Sequence, residues 1–132
     1  MQTNEQLLDL LENYLAQREL PTEPERLYDP IRYSLAGGGK RLRPMLLLLS
    51  CGLFADDVDV ALPAAAAVEI FHNFTLLHDD IMDNAAVRRG KPSVYARWGG
   101  NVAILSGDAM LISAYRLLAQ APPALLPRIL EV

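Results

Sequence analysis

Apolar residues along this chain recur at three- and four-residue intervals, and no stretch sustains the apolar/polar alternation of a half-buried strand. The pattern predicts a first helix over about 4–19, with Asn4 as its cap and Leu7, Leu8, Leu11, Tyr14 and Leu15 along one stripe. Pro21 and Pro24 close it and open a second helix over about 24–36, which Pro30 should kink or divide. Gly37, Gly38 and Gly39 break the chain. Pro44 then suits the first turn of a third helix over about 43–54. Apolar residues surround that helix (Met45 to Leu49, then Leu53 and Phe54), so it is expected to lie buried in the middle of a bundle. Asp56, Asp57 and Asp59 mark a turn before a long fourth helix over about 60–83, with Pro63 in its first turn. The segment 84–93 lacks periodicity, contains Gly90 and Pro92, and reads as loop. A fifth helix is predicted over about 101–119, and a short terminal helix can follow from Pro123. The fold class is all-α.

Composition narrows the reading. The 132 residues suffice for one domain, and with 52% hydrophobic and 21% charged residues the chain is neither disordered nor of low complexity. The longest unbroken apolar runs, such as Met45 to Leu49, fall well short of the roughly 18 residues that mark a membrane span, so none is expected. The first residues have no basic, apolar secretory pattern. The single cysteine, Cys51, lies in an apolar run and reads as core filler in a reducing compartment, so a cytoplasmic location is expected. A net charge of −4 argues against general affinity for nucleic acid. The cations are nevertheless concentrated: Lys40, Arg41 and Arg43 form one cluster, and Arg88, Arg89 and Lys91 another close to Asp79, Asp80 and Asp83. That placement predicts binding of a small anion.

The acids give the anion a context. On a helix, Asp79 and Asp83 lie about 40° apart, one turn from each other, with Asp80 about 60° beyond Asp83. Hard oxygen ligands at that spacing suit Mg²⁺, which takes one or two carboxylates and leaves its other positions to water and phosphate oxygens. A solvated acidic helix end is the bland alternative, but carboxylates at a helix C-terminus oppose the macrodipole. Arg88 and Arg89 come next in a segment able to fold back, and guanidinium groups bind phosphate bidentately. Gly37-Gly38-Gly39-Lys40-Arg41-Leu42-Arg43-Pro44 has the character of a phosphate-binding nest at a helix start, and equally that of a plain turn with solvated cations. It is neither a P-loop nor a dinucleotide fingerprint. His72 lies about 20° around the helix from Asp79, two turns earlier, placed to donate to a phosphate or to sit satisfied in the core. His78 points elsewhere and reads as structural.

Gly38 to Pro44, His72, Leu77-His78-Asp79-Asp80-Ile81-Met82-Asp83-Asn84, Arg88-Arg89-Gly90, Trp98-Gly99-Gly100-Asn101 and Leu105 to Ala109 together resemble the trans-isoprenyl diphosphate synthase (polyprenyl synthetase) family. The resemblance implies a helical bundle of the isoprenoid synthase type and a head-to-tail condensation of isopentenyl diphosphate onto an allylic diphosphate. It implies that Asp79 and Asp83 hold Mg²⁺ with Asp80 in support and that Arg88 binds the allylic diphosphate. By the same resemblance Lys40, Arg43, His72 and Arg89 bind isopentenyl diphosphate. It also implies a homodimer. Bulk just before the first aspartate limits product length in this family, so Phe74 and Thr75 imply a farnesyl- or geranylgeranyl-length product, with geranylgeranyl favoured. A second aspartate-rich motif, which family members carry downstream, is absent from these residues, and Asp108 cannot replace it. The expectation is therefore the N-terminal portion of a synthase, truncated and by itself inactive in condensation. A fragment of a class I terpenoid cyclase, or a non-catalytic subunit or binding module, are the alternative readings.

Overall fold

The computed structural model describes all of residues 1–132. It contains seven helices: α1 (Asn4–Gln17), α2 (Glu25–Ala36), α3 (Leu42–Gly52), α4 (Leu62–Met82), α5 (Val94–Trp98), α6 (Gly100–Leu118) and α7 (Leu126–Glu131). A 3₁₀ turn, Asp59–Ala61, precedes α4, and two short antiparallel strands, β1 (Val87–Arg88) and β2 (Lys91–Pro92), separate α4 from α5. The all-α expectation holds, with this small hairpin as an addition.

The chain divides into two compact units. The first comprises Met1–Arg18, Arg41–Glu69 and Ser113–Val132. Its core is built from Leu7 and Leu11 on α1, Leu48 on α3, Val58 before the 3₁₀ turn, and Leu62 and Ala65 at the start of α4. Leu11 and Leu48 are fully enclosed, and each contributes about 1.5–3 kcal/mol by leaving water. Cys51 packs half-buried against this core, as a filler residue would. Thr3, rather than Asn4, caps α1: its hydroxyl accepts from the Gln6 amide while the Gln6 side chain accepts from the Thr3 amide.

α3 departs from expectation. Pro44 and Leu48 face the core, whereas Leu42, Leu46, Leu53 and Phe54 are exposed, Phe54 at 91%. The helix is enclosed over a broad face, where Met45, Leu47, Leu49 and Cys51 also pack against the core, and open on the side of Leu42 and Leu46.

The second unit comprises Glu19–Lys40 and Ile70–Ile112. Ile31, Ile70, Leu77, Val94, Ala103 and Met110 form its apolar interior. α2 packs against α5, and Ser106 on α6 donates to the Leu27 carbonyl at 2.8 Å. α2 runs through Pro30 undivided, with Pro30 and Ile31 both buried.

One helical segment, Asp59–Met82, is apolar over its length although no single unbroken run in it is long. It spans 24 residues with a mean hydropathy of 1.5 over its most apolar window, long and apolar enough to cross a bilayer by length and composition. Glu69, His72 and Asn73 interrupt the run without lowering the average enough to matter. Of that window, 44% is buried within the protein, and Glu69 is ion-paired there.

Candidate functional site

The C-terminal half of α4 presents two stripes. Asn73, Leu77 and Asp80 recur at helical spacing and are all buried. His72 is half-buried, and Asp79 and Asp83, one turn apart on the neighbouring stripe, are exposed. The helix stops at Asn84, whose φ of 51° is left-handed. The Ala85 amide bonds the Asp80 carbonyl at 2.9 Å and the Asn84 amide the Ile81 carbonyl at 3.3 Å. These two bonds make a Schellman motif with asparagine in the position usually held by glycine.

Beyond this cap the chain forms a hairpin instead of the expected loop. Val87 pairs with Pro92 and Arg88 with Lys91. The two connecting residues, Arg89 and Gly90, have φ of 52° and 75°, the signature of a type I′ turn. Ser93 ties its neck: its hydroxyl donates to the Ala85 carbonyl at 2.6 Å and accepts from the Ala96 amide at 3.0 Å, capping α5. Tyr33 on α2 donates to the Pro92 carbonyl at 2.7 Å, with its ring edge-on to Trp98 at 5.1 Å and the Arg97 guanidinium 4.8 Å above it.

The hairpin folds Arg88 back onto α4. Its Nε donates to Oδ2 of Asp80 and its Nη2 to Oδ1, both at 2.8 Å, a bidentate pair. The hydrogen bond to Asp80 raises the pKa of Arg88; burial opposes this, while the charges of Asp80, Asp79 and Asp83 add to it. The Asp80 side chain is only 4% exposed. The three carboxylates therefore divide: Asp80 is committed to Arg88, and Asp79 and Asp83 face outward as a pair. No three His, Cys, Asp or Glu side chains converge in this structure, and Asp79 and Asp83 are the exposed carboxylates at this helix end. That donor set fits Mg²⁺, for which one or two carboxylates suffice.

Arg89 reaches the glycine segment. Its Nη1 donates to the Gly38 carbonyl at 2.5 Å and lies 3.4 Å from Oδ1 of Asn73. Lys40, next to this contact, is exposed. Beside it lies an open recess lined by Tyr33, Ser34, Leu77, Asp80, Arg88 and Lys91 among others.

Arg41 departs from its neighbours. It adopts a left-handed φ of 51° at the start of α3 and is only 6% exposed. Its Nε donates to Glu12 on α1 and its Nη1 to Glu69 on α4, each at 2.8 Å. Burial alone would lower its pKa, but the bonds to Glu12 and Glu69 outweigh this and raise it. Arg41 is thus withdrawn from the cationic cluster in which the sequence places it. Arg43 is exposed on the first turn of α3, in the first unit.

His78 is turned away from the acids. Its Nε2 lies 3.3 Å from the Ile104 carbonyl and 3.7 Å from Asp108, and Gly107 makes room, since a Cβ there would sit 2.6 Å from that nitrogen. Phe74 stacks edge-on against His78 at 4.8 Å and Phe71 at 5.3 Å. The Thr75 hydroxyl donates to the His72 carbonyl at 2.6 Å. Asn73, Tyr33 and Glu69 escape the sequence reading. The stripe shared by Asn73 and Asp80 was the available signal for the first, but nothing local marks the other two.

Residues 24–132 match the family described as Polyprenyl synthetase, and the chain belongs to it. A geranylgeranyl diphosphate synthase of Methanosarcina mazei is 48% identical over 99 residues, covering 75% of this chain and 31% of that relative. A geranylgeranyl diphosphate synthase of Cyanophora paradoxa is 43% identical over 128 residues, 90% of this chain and 43% of the relative. A crystal structure of a geranylgeranyl pyrophosphate synthase superposes with a TM-score of 0.92 at 48% identity, over 97% of this chain and 39% of that one. The chain thus spans less than half the length of these relatives.

Proposed function

We propose that the chain is the N-terminal portion of a trans-prenyltransferase that condenses isopentenyl diphosphate with an allylic diphosphate, giving a geranylgeranyl-length product. The observation that carries this reading is the division of the acids: the Arg88–Asp80 pair buries one carboxylate and leaves Asp79 and Asp83 outward beside a guanidinium. Asp79 and Asp83 would hold Mg²⁺, which on binding neutralises charge on a diphosphate leaving group. The chain's own residues do the rest. Arg88 keeps Nη1 outside its pair with Asp80 and presents it to the allylic diphosphate. Lys40, His72 and Arg89 receive isopentenyl diphosphate. Preorganised cations of this kind act on charge that develops as the carbon–oxygen bond breaks. Apolar side chains on α4, Phe74 among them, exclude water from the carbocation.

A structure of a polyprenyl synthase from Caulobacter crescentus complexed with calcium and isoprenyl diphosphate supports both the metal dependence and the substrate class. It superposes with a TM-score of 0.79 at 33% identity, over 88% of this chain and 35% of that one. The exposed Ile104, Leu105 and Ile112 on α6 support pairing with a second copy. We also propose a cytoplasmic location, on the ground that the single Cys51 is a free thiol suited to a reducing compartment.

The reading is tested by fusing residues 1–132 in place of the matching segment of the Methanosarcina mazei relative. Magnesium-dependent incorporation of labelled isopentenyl diphosphate is expected from the fusion, and little or none from the 132 residues alone. Incorporation without any allylic primer dependence, or none from a folded fusion, would overturn it. In the same fusion Phe74→Ala is expected to lengthen the product beyond geranylgeranyl diphosphate on thin-layer analysis. An unchanged product pattern removes Phe74 as the stop.

A further inference from the structure

We propose that the glycine segment is a socket for the Arg89 guanidinium, with Gly39 and Asn73 as positioning residues that aim this arginine at its diphosphate. The inference rests on the function proposed above and adds residues to which that reading assigns no role.

Arg89 holds a φ of 52° at the first central position of the hairpin turn, where asparagine or glycine would be the less strained choice. A long cationic side chain persists there when its far end is held. Its Nη1 donates to the Gly38 carbonyl at 2.5 Å, joining segments 51 residues apart in sequence. The same nitrogen lies 3.4 Å from Oδ1 of Asn73, a side chain only 1% exposed.

The two glycines then separate by chemistry. Both have positive φ, 81° at Gly38 and 131° at Gly39, so a side chain at either is strained. A Cβ at Gly38 would meet nothing within 4 Å. A Cβ at Gly39 would lie 2.9 Å from Nη2 of Arg89, 3.0 Å from its Cζ and 3.3 Å from its Nη1. Gly39 is therefore open on the side where the flat guanidinium rests, and a Cβ there would push this side-chain end off its seat. A guanidinium has five donors in a fixed fork, so fixing Nη1 sets the direction of the others. The glycines thus act on the anion through Arg89 and leave Lys40 at the rim of the same socket.

The test uses the 132-residue chain and three readouts. In ¹⁵N-arginine NMR the Arg89 guanidinium should give restrained, resolved side-chain signals in the parent and in Gly38→Ala. In Gly39→Ala and Asn73→Ala those signals should average. In thermal unfolding both glycine variants should lose stability, but only the loss at Gly39 should shrink when Arg89→Ala is added. Affinity for inorganic pyrophosphate with magnesium should fall about tenfold in Gly39→Ala and Asn73→Ala, and no further when Arg89→Ala is combined with either. Unchanged Arg89 signals in Gly39→Ala, or a Gly39→Ala loss independent of Arg89, would overturn the socket. If pyrophosphate fails to bind the parent chain while the NMR and unfolding results hold, the functional reading falls and the seating of Arg89 stands.

Discussion

Replacing Arg41 with methionine is expected to lower the unfolding free energy by about 3–5 kcal/mol, read as a shift in the urea midpoint. That is a large part of the roughly 5–15 kcal/mol that holds an ordinary domain together. The cause is Glu69, 3% exposed on α4 and left buried without its guanidinium partner, while Glu12 at 47% exposed can turn to water. Adding Glu69→Leu should recover most of the loss, because removing both members of a buried pair can be nearly neutral. Lys40→Met, one residue away but exposed, should stay within about 0.5 kcal/mol of the parent. Equal midpoints for the Arg41 and Lys40 variants would contradict the division of labour inside this short basic stretch.

The second large effect concerns the outward acids. In Asp79→Asn combined with Asp83→Asn, magnesium should no longer strengthen pyrophosphate binding, and turnover in the fused enzyme should fall by roughly 10²–10³. Asp80→Asn should behave differently. It breaks the bidentate pair with Arg88, so it should weaken pyrophosphate binding with and without magnesium, leaving the gain from the metal in place. Calorimetric titrations at two magnesium concentrations separate the outcomes. If Asp80→Asn abolishes the magnesium gain as completely as the double variant, Asp80 belongs with the metal and not with the arginine.

Much of this architecture was legible from apolar spacing. Leu7 and Leu11 were visible as stripe residues, and each proved fully enclosed. The one-turn spacing of Asp79 and Asp83 was legible as well, but the burial of Asp80 between them was not. Three things were not legible, each for a physical reason. The hairpin escaped because its turn places arginine, not asparagine or glycine, at a left-handed position, and its strands are only two residues long. The inward turn of Arg41 escaped because its partners lie 29 and 28 residues away, and pairing at that distance leaves no trace in a local pattern. The exposed side of α3 escaped because composition reports how apolar a helix is, not how many neighbours it has. Pro30 failed as a divider for a related reason: a buried position within α2 holds it in a continuous helix despite the missing donor.

From His72 to Asp83 the landmarks of the proposed site lie along one unbroken helix and its cap. Such a helix is a graduated rod: each residue advances about 1.5 Å and turns about 100°, so the same face returns only after about 5.4 Å. An obstruction moved one residue along it swings off the channel instead of sliding down it. Product length in an enzyme built on this rod should therefore change in whole helical turns, with Phe74 and the residues one turn from it as alternative notches rather than points on a continuous scale.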